Sequence, residues 1–401
     1  MQLTIRTIKQ RDYEKAAAIK HLAFYTEQNK QNYIEKIIDS FYALEHMDHS
    51  QVFVCCHEKE IVGLITIHEF MMNFHNTFIK VNALGGVSVH NNYRMQGIAD
   101  FMVRFFLEES SRRGANIVML YPYKPAFYKK YGFGWGIEKY EYIFNTNALK
   151  YMDNKNIFPF EQESIKLVKN IHNQYAKMQH GMCFIGEYEW YKLEQEITHD
   201  DIILIRNENG GAEGYAIVRF EKDAEYNQYD QTIVVDRLIT LTPRAKEYFL
   251  SYLFTLKDQF ETIKLYTHEQ FFYYNLNNIG SIYNATISAA YHYNCRQGLG
   301  IMYKAINPQS LINLLTSEDI KTSYCFIIED KYNNNRQEVF IGGKNTENKI
   351  YISIEDFSSW VMGCITMAEL YKYGLANTKC QTAEKLDKEI KLKKPICTSI
   401  F

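Results

Sequence analysis

Between Gly85 and Ala99 the chain reads Gly85-Gly86-Val87-Ser88-Val89-His90-Asn91-Asn92-Tyr93-Arg94-Met95-Gln96-Gly97-Ile98-Ala99, a β-branched run passing into a glycine-containing helix start. Val87 and Val89 alternate as in a half-buried strand, and Ile98, Phe101, Met102 and Phe105 recur at i, i+3, i+4, i+7 as on one face of a helix. The 94–99 segment is therefore a strand-to-helix loop. A helix N-terminus offers unpaired N–H groups and the positive end of its dipole, and small residues at Gly97 and Ala99 let phosphate oxygens come close. The chemistry this predicts is pyrophosphate binding by the backbone of Met95, Gln96, Gly97, Ile98, Ala99 and Asp100, with Arg94 adding charge. A dinucleotide fingerprint would need three glycines in G-x-G-x-x-G order and an acidic residue about 20 positions on, whereas only Gly97 lies in this turn. His90 reads as a polar residue at the strand end rather than a base.

Downstream, a strand over 116–121 leads through Pro122 into Tyr123-Lys124-Pro125-Ala126-Phe127-Tyr128-Lys129-Lys130-Tyr131-Gly132-Phe133-Gly134-Trp135. The spacing Arg-x-x-Gly-x-Ala after a strand broken by Gly85-Gly86 is similar to the acyl-CoA signature of the GNAT superfamily of N-acetyltransferases. With Val-Ser-Val, Phe-Tyr-x-x-Tyr-Gly-Phe-Gly and a chain of 401 residues ending on phenylalanine, the sequence resembles the Eis (enhanced intracellular survival) family. That resemblance implies acetyl-CoA as co-substrate, with no metal. It places the last CoA contacts at Tyr123 and Lys124, a catalytic tyrosine at Tyr128, and the carboxylate of Phe401 in the same site as base. The Gly85-Gly86 break predicts a bulge that splays the strand from its neighbour, leaving the backbone of Val87, Ser88 and Val89 for the amides of a pantetheine arm.

Simple acid–base chemistry is compatible with those roles. A phenol with a reference pKa of about 10 is protonated at neutral pH and suits a general acid for a departing thiolate, whose conjugate acid lies at about 8 to 9. A terminal carboxylate, at about 3.3 to 3.7, accepts protons poorly in water, and burial raises it. It would also orient a cationic amine.

The elements that must carry these residues suggest three parts, within the two to three domains that the length predicts. Residues 1–150 read as a catalytic acyl-CoA-binding domain: a strand at 3–8, an amphipathic helix at 11–25, a hairpin of 51–57 and 61–70, and the long strand 78–89. Residues 151–295 repeat the plan, with strands at 201–206, 214–220 and 231–241 before a helix opened by Thr242-Pro243. With no glycine there and a proline in place of an N–H donor, this copy is expected not to bind CoA. Residues 296–401 change pattern, with a strand at 301–305, a helix at 308–315, strands at 323–330 and 337–342, and helices at 354–364 and 367–373. The resemblance implies two tandem GNAT-like mixed-sheet α/β domains followed by a sterol-carrier-protein-like α+β domain, whose end returns to the first active site. The mixed charges of 385–394 read as a solvated surface, and the apolar 395–401 as a segment that needs a docking site.

Composition narrows the partners. With 45 basic against 47 acidic residues the net charge is −2, so no basic field attracts nucleic acid or anionic membranes. No apolar run approaches the roughly 18 residues of a membrane helix, and the start of the chain reads as a strand rather than a signal peptide, so a cytoplasmic location is expected. The eight cysteines show no C-x-x-C spacing and read as small buried hydrophobes in a reducing compartment. For acceptors, the resemblance implies polyamines, aminoglycoside-like compounds or lysine-containing peptides, and for assembly a closed homo-oligomer such as a hexamer. Glu27, Glu35 and Asp39, on a helical region by the expected mouth, are candidates for holding a polycation. The rival readings are a non-catalytic CoA sensor, a lipid- or protein-binding module, and an acetyltransferase for protein lysines.

Overall fold

The apolar runs of the first third pair into a mixed sheet whose two faces are set by period-2 alternation. The computed structural model describes residues 2–24, 30–47, 50–152, 157–159, 164–196, 202–222, 231–278, 294–316 and 320–399. One unit gathers the chain up to Gly136, Gly186–Lys192 and the chain from Ile301 onward. Its seven-stranded sheet runs, in order, Leu3–Thr7, Gln51–His57, Glu60–Phe74, Thr77–Val89, Ile117–Leu120, Met302–Ala305, Gly134–Trp135. The first four strands pair antiparallel. Ile117–Leu120 lies parallel to Thr77–Val89, as it must when the crossover is a helix, Ile98–Arg112.

Alternation along Gln51–His57 assigns the layers. Phe53 and Cys55 join Met102, Val103 and Phe106 of Ile98–Arg112 on one face. Val52, Val54 and Cys56 join Ala16, Ala17 and Phe41, from the helices Tyr13–Ala23 and Lys30–His46, on the other. Each face of the sheet is thus covered by a different set of helices.

Two strands lie outside the domains expected for them. Met302–Ala305, expected to open the third domain, inserts between Ile117–Leu120 and Gly134–Trp135 of the first sheet. All four of its residues are buried, including Lys304, whose ammonium donates to Asp330 Oδ2 at 2.8 Å and the Tyr131 carbonyl at 2.6 Å. Glu138–Asn145, inside the expected first domain, pairs instead with Thr262–Thr267 and Cys295–Leu299. The boundary falls after Gly136 rather than near 150. Such pairings join residues more than a hundred positions apart, and local pattern carries no information about them.

The second unit comprises Ile137–Ile185 and Leu193–Gly300. Its sheet runs Cys295–Leu299, Glu138–Asn145, Thr262–Thr267, Gln231–Thr240, Ala212–Lys222, Ile202–Arg206, Ile157–Pro159. The helix Pro243–Thr255 connects Gln231–Thr240 to its parallel neighbour Thr262–Thr267.

Within the first unit, the later chain adds a four-stranded sheet of Asn335–Ile341, Tyr324–Asp330, Lys349–Ser353 and Ala376–Asn377, with helices at Ile354–Val361, Met367–Lys372 and Cys380–Glu389. Part of the segment expected to be a solvated surface lies in Cys380–Glu389, and Leu386 and Ile390 are buried. Beyond it the chain buries Cys397 and Ser399. Five of the eight cysteines are buried and none is in a disulfide.

Candidate active site

The expected bulge is present. Leu64 pairs with Ser88 and Thr66 with Gly85, so Gly86 and Val87 together oppose Ile65. Gly86 has φ +60°, a left-handed conformation that glycine adopts without penalty. Parallel pairing to Ile117–Leu120 stops at Leu84 opposite Leu120, while the long strand continues to Val89. Val87, Ser88 and Val89 therefore keep a partner on one edge only, and among the described residues no strand pairs with the other. Ser88 is buried and its Oγ donates to the Gly86 carbonyl at 3.0 Å.

The strand ends in a short turn in which the Asn92 N–H donates to His90 Nδ1 at 3.2 Å, so His90 serves as the polar strand-end residue expected of it. Met95 (φ +63°) and Gly97 (φ +82°) then reverse the chain, and Gly97 caps Ile98–Arg112 with no side-chain hydrogen bond. Phe101 is the first residue whose N–H bonds back into the helix, to the Gly97 carbonyl at 2.9 Å. The N–H groups of Ile98, Ala99 and Asp100 precede it and have no intrahelical acceptor. A Cβ at Gly97 would meet nothing within 4 Å, so this glycine serves conformation and open space together. Arg94, Met95 and Gln96 are exposed around it. Asp100 enters the site through its backbone, because its carboxylate accepts from Tyr131 Oη at 2.7 Å and pairs with Arg104 and Lys130. Burial opposes that charge, but these partners outweigh it and hold the carboxyl below its ordinary range.

Tyr128 lies on the short helix Pro125–Lys129, entered through exposed Tyr123 and Lys124. It is 8% exposed and shares one apolar cluster with Leu84, Ile98 and Leu120, against which Val87 and Val89 pack. The free strand edge, the helix start and Tyr128 thus meet in one core. Phe127 and Phe133 stand edge-on to its ring, at 5.0 and 6.2 Å between centroids. Burial pushes its phenol up, so it is protonated at neutral pH. Its hydroxyl makes no hydrogen bond to another described residue. The glycines after it are packing glycines: a Cβ on Gly134 would lie 1.9 Å from the Glu355 carbonyl oxygen, and one on Gly132 2.7 Å from Ile354 Cγ2.

Sequence reasoning missed Tyr121, which holds the backbone at Ser399. It follows Ile117–Leu120 directly, where the two parallel strands part, and its hydroxyl donates to the Ser399 carbonyl at 2.9 Å. Phe401 and Ile400 lie outside the described residues, as does Glu27. Glu35 and Asp39 are exposed on Lys30–His46, whereas Ile37 and Phe41 of that helix are buried. Lys20 and Thr66 border the bulge from the helix-covered face opposite Ile98–Arg112: a Cβ on Gly86 would lie 3.6 Å from Lys20 Nζ and 3.4 Å from Thr66 Oγ1. Only their place beside Gly86 marks them, and no sequence signal does. Among the described residues no group of three His, Cys, Asp or Glu is arranged to hold a metal ion, and no helix is long and apolar enough to cross a membrane.

Two family models match the chain, each describing an acetyltransferase (GNAT) domain, over residues 4–136 and 186–279. Three solved structures share the fold over the whole of both chains. They are a probable N-acyltransferase from Enterococcus faecalis (16% identity, TM-score 0.79), a GCN5-related N-acetyltransferase from Anabaena variabilis (15%, 0.76) and Eis1 from Mycobacterium abscessus (15%, 0.76). No curated protein matches the sequence.

Proposed function

We propose that this Eis-like GNAT acetyltransferase moves the acetyl group of acetyl-CoA directly to a primary amine, on the surface where the long strand, the helix start and Tyr128 meet. The N–H groups from Gly97 to Asp100, with Met95, Gln96 and the charge of Arg94, take the pyrophosphate. The free edge of Val87, Ser88 and Val89 holds the pantetheine amides, with Tyr123 and Lys124 at the outer rim. Acetyl-CoA supplies an activated acyl thioester there. Tyr128 gives its phenolic proton to the departing sulfur, and Phe401, two residues beyond the carbonyl held by Tyr121, takes the proton from the amine and orients it. The observation that carries this reading is the junction itself: an uncapped helix N-terminus beside a strand edge freed by a bulge, with a buried protonated tyrosine in the same core.

The acceptor is a small polyamine, an aminoglycoside-like compound or a lysine-containing peptide. We read residues 296–401 as a sterol-carrier-like α+β part apart from the strand given to the first sheet, and the protein as a cytoplasmic homo-oligomer of hexameric type. Measuring CoA release with panels of these amines tests the reaction. Acetyl-CoA binding without transfer to any amine would make the protein a sensor instead.

A further inference from the structure

Ile98–Arg112 carries an acid in its first turn, beside the donors assigned to a pyrophosphate. With Gly97 as the cap, Asp100 is the third residue of the helix, the position from which a carboxylate reaches back to the open end of the first turn. Elsewhere in this chain acids at that position do so. Glu369 accepts from the Thr366 N–H at 3.1 Å, and Asp356 accepts from the Ser353 hydroxyl at 2.7 Å. A carboxylate folded back at Gly97 would occupy donors that a pyrophosphate needs and would repel its charge as well.

Asp100 is instead turned aside. Its Oδ1 accepts from Tyr131 Oη at 2.7 Å and from Lys130 Nζ at 3.4 Å, while Oδ2 accepts from Arg104 at 2.9 Å. Arg104 and Lys130 are exposed, whereas Tyr131 is fully buried, so the phenol is the fixed point of the group. Its ring stands edge-on to Phe127 and Tyr332, at 5.3 and 4.8 Å between centroids. Its carbonyl accepts from Lys304, which Asp330 holds in turn. Arg104 lies over the ring of Tyr332, 5.7 Å to the centroid. Tyr332 and Lys304 belong to the last part of the chain, so the direction in which Asp100 points is set by residues more than two hundred positions away.

We propose that Tyr131 and Arg104 are positioning residues for the acyl donor: by holding the Asp100 carboxylate to the side, they keep the N–H groups of Ile98, Ala99 and Asp100 open to the pyrophosphate. This rests on the acetyl-CoA reading of the helix start and names what keeps that start open. A charge-assisted hydrogen bond is stronger than a neutral one, and each one lost returns weight to the folded-back carboxylate. The cost then falls on donor affinity, not on the chemistry at Tyr128.

The test is a double-mutant cycle on the full chain, read as the Kd of acetyl-CoA by calorimetry, with melting temperatures without ligand as the check on folding. Tyr131→Phe removes one hydroxyl, keeps the ring, and should weaken binding by roughly 5- to 20-fold. Arg104→Met, at an exposed position, should weaken it by roughly 2- to 5-fold, and it decides the matter if Tyr131→Phe does not fold. In an Asp100→Ala background, which keeps the backbone N–H and removes the carboxylate, neither change should alter Kd by more than about twofold. A purely structural Tyr131, or an Arg104 that touches phosphate directly, would carry its loss into that background, and a loss that persists there overturns the proposal. Unchanged binding in both Tyr131→Phe and Arg104→Met overturns it as well and leaves the transferase reading intact. Wild-type protein that does not bind acetyl-CoA removes both.

Discussion

The helix Ile98–Arg112 in the first unit and Pro243–Thr255 in the second follow the same strand plan and leave different groups open at their starts. Each follows a bulged strand: Asp236 is the extra residue where Ile217 pairs with Arg237 and Val218 with Val235, as Gly86 and Val87 are in the first unit. Each strand also outruns its parallel neighbour, since Gln231–Thr240 pairs with Thr262–Thr267 only from Thr232 to Val235. The helix starts then differ. Gly97 leaves its N–H groups open, whereas Thr242 Oγ1 accepts from the Ala245 N–H at 3.1 Å, Pro243 has no N–H to offer, and Glu213 accepts from Thr242 Oγ1 at 2.8 Å. Two of the first three donors are thus absent or taken, and a carboxylate stands at the positive end of the dipole. The bulge and splay are a scaffold, and three residue choices at the helix start decide how many of its N–H groups stay open.

The largest effect that would sharpen this contrast lies at Tyr128. Tyr128→Phe should lower kcat by about 10²- to 10⁴-fold while the stabilisation by acetyl-CoA persists, and deleting Phe401 or extending the chain past it should give the same signature. Equal loss of kcat and melting temperature would assign Tyr128 a packing role alone.

Next comes binding. At a hundred times Kd, acetyl-CoA should stabilise the protein by about 2.7 kcal/mol, seen as a rise in melting temperature. Gly97→Glu should remove that rise, because it brings negative charge to the phosphate site in a left-handed conformation. Gly97→Asn, which tolerates that conformation, should retain most of it. The corresponding Arg244→Glu change, at an exposed residue paired with Glu247, should leave the rise intact. Loss in both would mean that the second unit binds as well.

Acid tests what the two units share. Burial pushes His68 in the first unit and His172 in the second down to about 3, the latter helped by Arg237. Because the unfolded imidazole titrates at about 6.5, the unfolded chain takes up the proton first as pH falls. The stability each contributes is complete above pH 6.5 and declines as pH drops toward 3, by about 2 kcal/mol each at pH 5. Denaturant midpoints between pH 7 and 5 should show this fall, and His172→Gln or His68→Gln should each reduce its slope. A midpoint flat across that range would contradict the burial of both.

The smallest expected effect is Thr242→Ala, which removes a helix cap and should cost about 1 kcal/mol without creating a site, since Pro243 and Glu213 remain. Acetyl-CoA stabilisation gained in this variant at Gly97→Glu would break the comparison.

The sequence by itself determined the local parts of the first site. Gly85-Gly86 marked the bulge, Gly97 before the Ile98, Phe101, Met102, Phe105 stripe marked the helix start, and Thr242-Pro243 marked the closed copy. Each depends on backbone dihedrals or helix periodicity within a few residues, which local sequence specifies. Only the tertiary structure decided what crosses long distances. It placed Met302–Ala305 in the first sheet, made Gly132 and Gly134 packing contacts for Ile354 and Glu355, tied Ser399 to Tyr121, and set Lys20 against Gly86. Strand pairing and side-chain burial depend on which distant surfaces meet, and a lysine on a helix reads as solvated until the sheet it packs on half-buries it.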